Sequence, residues 1–299
     1  MSQMPAFLQK NDLVAIVATA KNFEKKELAS CIQQLKDWGL QVVEGKHLYE
    51  KADQFAGTDE QRLEDLQWAL DTKEIKAVFC ARGGYGTGRI IDEVNWKKII
   101  KSPKWVVGFS DVTVLLAQLE KNDIQSIHGL MPISFGNKAY DPSIKKLKET
   151  LFGKPLRFKL PAHPLNRTGE VTAALTGGNL AILCSILETN SAVNMKNKIL
   201  FLEDVGENLY RVDRMIVQLK RAGILKALSG LIVGHFTNME DNPVPFGKTA
   251  LEIIANAVKE YKYPVCYGFP TGHEPDNFPL ILGATIKFSV KKNSCTIDF

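Results

Sequence analysis

Three observations predict an α/β fold built on a parallel sheet. Short apolar runs alternate with segments of helical period through the first half of the chain. The runs are apolar throughout, as strands covered on both faces are. Gly-rich or polar breaks fall where those runs end. With 299 residues, 45% of them hydrophobic and 24% charged, the chain is long enough for two domains with cores of their own.

The first strand is 13–18, the run Leu13-Val14-Ala15-Ile16-Val17-Ala18. Leu28, Ile32, Leu35 and Trp38 then recur at helical spacing, and Gly39 supplies a stop. Residues 40–43 read as a second strand, and Leu63, Leu66 and Leu70 mark a second helix. A third strand, 75–80, runs into the loop Arg82-Gly83-Gly84-Tyr85-Gly86-Thr87-Gly88. A fourth, 105–109, ends at Ser110 and gives way to the helix-like 111–119. This order implies right-handed crossovers, with ligands bound beyond the carboxyl ends of the strands. The Gly-rich loop and Ser110 both lie at such ends and should share one crevice. Gly153, Pro155, Pro161, Pro164 and Gly169 punctuate a weaker stretch, so 136–168 reads as a linker between domains at 1–135 and 169–299. The second half carries strand candidates at 171–175, 199–202, 231–233, 265–267, 285–290 and 295–299, with helices at 209–222 and 249–261.

Charge and composition narrow the partners. The net charge of +5 is spread along the chain, and Lys145-Lys146-Leu147-Lys148 has no interleaved aromatics, so a solvated helix face explains it better than a nucleic-acid patch. No apolar stretch approaches the roughly 20 residues that span a membrane, and the N-terminus lacks a basic-then-apolar leader pattern. The five cysteines are scattered and never form a Cys-x-x-Cys pair, which points to a reducing, cytoplasmic setting without structural zinc.

Ser110 is the most informative residue. A strand, a Gly, the Ser and then a helix are the parts of a nucleophile elbow, with backbone N–H groups of the new helix facing the same space. The competing role is a helix N-cap. The Gly-rich loop has the Gly83-x-x-x-x-Gly88 spacing of a phosphate loop, but Arg89 and Ile90 stand where Lys and Ser or Thr are needed, so nucleotide binding is not expected. A nucleophilic Ser needs a base and the base needs an orienting acceptor. Of the five histidines, His47 and His163 lie in polar or Pro-rich surface segments, and His128 and His235 sit at strand ends. His273 lies in the long polar turn after the strand at 265–267, where a side chain can be placed on a strand's mouth. The strand at 199–202 ends in Glu203-Asp204, and an acid there needs a partner. Glu203 could pair with an imidazole N–H, or Glu203 or Asp204 could simply cap the segment leading to the helix at 209–222. No metal-ligand spacing is present, and no cofactor is implied.

Five motifs in order, Cys80-Ala81-Arg82-Gly83-Gly84-Tyr85-Gly86, Gly108-Phe109-Ser110-Asp111-Val112-Thr113, Thr176-Gly177-Gly178-Asn179-Leu180, Phe201-Leu202-Glu203-Asp204 and Gly272-His273, closely resemble the LD-carboxypeptidases. This is the serine peptidase family of muramoyltetrapeptide carboxypeptidases, which also includes microcin C self-immunity peptidases. One departure is Val17-Ala18-Thr19-Ala20, where the family usually carries Pro-Ser. The resemblance implies a flavodoxin-like or glutamine-amidotransferase-like N-terminal domain and a smaller, barrel-like C-terminal α/β domain. It also implies a triad of Ser110, Glu203 and His273, an oxyanion hole from the N–H groups of Asp111 and Gly84, and a homodimer. The substrate implied is a murein-derived tetrapeptide cut at its L,D bond, with a peptidyl-adenylate as the alternative within the family. Arg82 and Tyr85, in the Gly-rich loop, are the candidates for holding the substrate and its free carboxylate.

Overall fold

In the computed structural model, which describes residues 2–299, the apolar runs of the first half become neighbours in one sheet. The strands β1 (Leu13–Val17), β2 (Gln41–Glu44), β3 (Ile75–Cys80), β4 (Trp105–Gly108) and β5 (Ser126–His128) pair in parallel in the order β5-β4-β3-β1-β2. All but the edge strand β2 are almost wholly buried, which is why they read as unbroken apolar runs. Helices α1 (Ala29–Asp37), α2 (Asp59–Asp71), α3 (Thr87–Ile90), α4 (Lys97–Lys101) and α5 (Thr113–Lys121) lie between these strands in the chain. The start of α2 is fixed by a reciprocal cap: Thr58 Oγ1 accepts from the Gln61 N–H, and the Thr58 N–H donates to Gln61 Oε1.

The stretch 136–168, read as a linker, holds α6 (Asp141–Leu151) and β6 (Arg157–Pro161). Ile144, Leu147 and Leu151 bury one face of α6, and its Pro142 is a helix-start residue rather than a breaker. In β6, Phe158 points inward between exposed Arg157 and Lys159. The Pro and Gly count hid both elements.

The second sheet comprises β6, β7 (Gly169–Asn179), β8 (Ile199–Val205), β9 (Gly230–Thr237), β10 (Val265–Tyr267), β12 (Thr285–Lys291) and β13 (Ser294–Asp298), ordered β10-β9-β8-β7-β12-β13-β6. It is parallel from β10 to β7 and antiparallel from β7 to β6. Its two ends approach each other: Arg167 bridges to Val265 and donates to the carbonyls of Tyr263 and Val258 at 2.8 and 2.7 Å, while Phe158 on β6 packs on Phe269 at 5.0 Å. These contacts draw together the ends of an open sheet, since β6 and β10 do not themselves pair. Helices α7 (Leu180–Ser185), α8 (Leu209–Arg221) and α9 (Ala250–Val258) belong to this half. The remaining strand, β11 (Leu280–Leu282), crosses over and pairs antiparallel with β5, extending the first sheet from within 169–299. It is absent from the strand candidates of the sequence, since its partner β5 lies in the other half of the chain.

A buried ion pair ties the two halves. Glu120 near the end of α5 accepts from Lys198 Nζ at 2.7 Å and from Thr176 Oγ1 of β7 at 2.8 Å. All five cysteines are buried free thiols.

Candidate active site

Ser110 follows β4 in a left-handed conformation, φ 61°, and opens a single 3-10 turn, Ser110–Val112, that leads into α5. A non-glycine residue in that region costs on the order of 1–3 kcal/mol and persists only where its surroundings force it. The surroundings are visible. Val112 N donates to Phe109 O to close the turn, and buried Asp111 accepts from the Thr87 N–H at 2.9 Å, fastening the turn to the end of the Gly-rich loop. Ser110 is the first residue of that turn and the N-cap position falls to Phe109, so Ser110 does not serve as its N-cap. The neighbour pressed against it is Gly83, where an added Cβ would lie 3.4 Å from Ser110 Oγ. Motif reading picked out Gly84 in this loop and missed this contact. Neither the Asp111 nor the Gly84 N–H finds an acceptor among the turn and loop hydrogen bonds.

The two acids after Leu202 take different partners: one meets an imidazole, and the other serves α7 rather than the helix at 209–222. Glu203 is wholly buried and meets His273 Nδ1 through Oε2 at 2.7 Å. Asp204 accepts from Asn179 Nδ2 at 2.9 Å and from the Ala181 N–H at 3.0 Å, and so helps to hold the start of α7. Burial pushes the Asp204 carboxyl up to about 6, against its hydrogen bonds. His273 keeps an exposed edge, its side chain 18% accessible, and its ring packs on Phe109 at 4.9 Å. Phe109, the residue before Ser110, thus links the imidazole to the serine turn.

The other histidines have separate surroundings. His47 bonds Glu64 at 3.0 Å, His163 stacks on Tyr267 at 5.6 Å, and His235 lies 3.6 Å from Asp276. His128 is fully buried beside Phe109 and Phe201. Arg82 is half-buried and makes one long hydrogen bond, from Nη1 to Asn22 O at 3.3 Å; no carboxylate pairs with it among the described residues. Tyr85 is 53% exposed and leans on Phe55. A cavity of about 450 Å³ adjoins the His273 loop, walled by His235, Phe236, Met239, Leu251 and Glu274.

A serine on a strained turn, free backbone donors beside it and a buried carboxylate–imidazole pair make an arrangement suited to nucleophilic acyl transfer. Comparison with known proteins agrees with that chemistry. Residues 14–129 match the model of the LD-carboxypeptidase N-terminal domain, and residues 172–288 that of the C-terminal domain. A probable murein peptide carboxypeptidase of Bacillus subtilis is 31% identical, with 100% of this chain and 95% of that protein covered. The murein tetrapeptide carboxypeptidase of Pseudomonas aeruginosa is 32% identical, with 88% of this chain and 89% of the relative covered. Among solved structures, the muramoyltetrapeptide carboxypeptidase from Oxalobacter formigenes superposes with a TM-score of 0.87 at 29% identity, covering 96% of this chain and 98% of its own. The microcin C7 self immunity protein MccF, in complex with aspartyl sulfamoyl adenosine, shares the fold at a TM-score of 0.88 and 20% identity, covering 99% and 98%. With both family domains matched in order over most of its length, the chain belongs to the LD-carboxypeptidase family.

Proposed function

We propose that the protein is a serine carboxypeptidase that releases the terminal D-Ala from murein tetrapeptides at the L,D bond, acting in the cytoplasm and as a homodimer. The observation that carries this reading is the 2.7 Å pair between buried Glu203 and His273, set across Phe109 from strained Ser110. Ser110 Oγ attacks the carbonyl before the D-amino acid, and His273 Nε2 takes the proton. Glu203 accepts from His273 Nδ1–H, which fixes the tautomer and stabilises the imidazolium as it forms. No hydrogen bond joins Ser110 to His273 among the described residues, so the contact tightens when substrate is bound. The oxyanion is received by the Asp111 and Gly84 N–H groups, each worth about 10²–10³ in turnover. The amine departs with the proton from His273, and water, activated by the same imidazole, hydrolyses the acyl-enzyme. Arg82, with most of its guanidinium donors unused by the protein, receives the free carboxylate of the substrate, and Tyr85 flanks it.

The test is incubation with a tetrapeptide ending in meso-diaminopimelate-D-Ala, followed by mass spectrometry, with Ser110→Ala alongside. Loss of one D-Ala, abolished in the variant, is the expected result. No release by folded parent protein overturns the tetrapeptide reading. Turnover of an acyl-sulfamoyl adenosine in its place would assign the peptidyl-adenylate class.

A further inference from the structure

A polar ring lies at the seam of the two sheets, where packing alone calls for an apolar one. His128 closes β5, is fully buried, and has no hydrogen-bond partner at either Nδ1 or Nε2 among the described residues. Its ring stands edge-on to Phe201 at 5.1 Å and tilted against Phe109 at 5.8 Å. Phe201 is two residues before Glu203 on β8, so both side chains leave the same face of that strand. Phe109 immediately precedes Ser110 and packs on His273. His128 therefore sits between the strand that delivers the serine and the strand that delivers the carboxylate.

A second buried polar atom nearby also lacks a partner. Glu203 Oε2 binds His273, but Oε1 accepts nothing. Unpaired buried groups of either kind are costly, and folded proteins keep few of them without a reason. The charges that act on His128 are those of Glu203 and His273, and burial dominates both, pushing its pKa down to about 4. At neutral pH the ring is thus uncharged, with one N–H donor to offer and no second cation to compete with His273 for the carboxylate.

We propose that His128 is a positioning residue whose N–H holds Glu203 Oε1 through one bridging water, and so fixes the carboxylate that orients His273. The proposal rests on the Ser110–His273–Glu203 reading above. A merely structural ring would be replaceable by any apolar group of similar size.

The experiment follows the second-order rate at which a fluorophosphonate labels Ser110 in the full-length protein, which reports activation of the nucleophile whatever the substrate. His128→Leu removes the donor and is expected to label about tenfold or more slowly, the scale on which supports of an orienting ligand act. His128→Gln keeps an N–H donor and is expected to stay within about threefold of the parent. A Leu variant labelling at the parental rate overturns the proposal, and so does a Gln variant as slow as the Leu one. Parent protein that never labels at Ser110 instead overturns the triad, a separate outcome. If His128→Leu does not fold, ¹⁵N-histidine NMR of the unchanged sequence decides. A slowly exchanging His128 N–H whose shift moves in Glu203→Gln supports the proposal, and one that does not move overturns it.

Discussion

Replacing Glu203 by Gln isolates the charge of the carboxylate from its shape. Glu203 is 0% exposed and lies 2.7 Å from His273 Nδ1, so the imidazolium formed in the transition state faces a full negative charge with little water between them. At an effective dielectric constant of about 20, a contact pair of this kind is worth on the order of 4–6 kcal/mol, or about 10³–10⁴ in rate at 1.36 kcal/mol per decade. Orientation acts in the same direction. A Gln amide at this position keeps its oxygen toward the donor proposed for the Oε1 side and so turns its NH₂ toward Nδ1. That orientation forces the ring proton onto Nε2 and leaves no acceptor for the serine proton. The fold should survive, because the change removes a buried charge rather than creating one. The assay is kcat/KM on the tetrapeptide together with the rate of fluorophosphonate labelling at Ser110, checked against an unchanged thermal transition. A loss of less than tenfold in a folded Glu203→Gln protein would refute the assignment of Glu203 as the orienting group.

Three further outcomes follow from the geometry. Lys198→Met strands the Glu120 carboxylate, whose side chain is 2% exposed; Lys198 itself is 25% exposed, so water relieves part of the cost and about 3 kcal/mol is expected near pH 7.5. Burial holds the Glu120 pKa above its ordinary value, so the folded state keeps its proton to higher pH than the unfolded chain does; the deficit should shrink as pH falls toward 4.5, and urea unfolding showing the same deficit at both pH values would refute this. Gly83→Ala places a methyl group 3.2 Å from Ser110 Cβ and 3.3 Å from Met131 Cε, costing about 1–3 kcal/mol and slowing Ser110 labelling, whereas Gly88→Ala, with nothing within 4 Å, should leave labelling unchanged. Arg82→Lys should raise KM for peptides with a free C-terminal carboxylate about tenfold, the worth of one charge-assisted hydrogen bond, with less effect on kcat; an unchanged KM excludes Arg82 from carboxylate recognition.

Several of the largely buried strands were legible from the sequence. The run 75–80 coincides with β3, and 265–267 with β10, because a strand covered on both faces is mostly apolar, Lys76 being the one exposed position of β3. Elements that draw their stability from distant partners were not legible. β11 is three residues long and exists because β5 offers it an edge. β6 depends on Phe158 reaching an aromatic cluster with Phe269, Phe278 and Phe299, all far along the chain. The same division holds at the site. The Ser110 turn is local, and its parts stand in order in the sequence. The meeting of Glu203 with His273, 70 residues apart, depends on a sheet register that periodicity does not encode. His128 and Gly83 carried no signal of their own, since one resembles any strand-end histidine and the other any loop glycine.

The Thr176-Gly177-Gly178-Asn179 segment shows how the two halves are held in the register that the site requires. An added Cβ on Gly177 would lie 2.0 Å from the Phe201 carbonyl oxygen, and one on Gly178 would lie 2.7 Å from Thr113 Cγ2. With glycine at both positions, β7 closes on β8 on one side and on the start of α5 on the other. Asn179 completes the joint: its N–H donates to Thr113 Oγ1 at 3.2 Å, and its side chain donates to Asp204 at 2.9 Å. Thr113 lies three residues after Ser110, and Asp204 is the neighbour of Glu203. One four-residue segment therefore contacts the helix that follows the serine and the strand end that carries the carboxylate, and the register pairs Asn179 with Glu203 itself. Glu120–Lys198 clamps the far end of the same helix to the residue before β8, by way of Thr176. Two clamps along one helix resist both sliding and rotation of one sheet against the other. On the proposed mechanism, that rigidity holds the strained serine in place with respect to an imidazole supplied by the other half of the chain, as a geometry tolerant of only a fraction of an ångström demands.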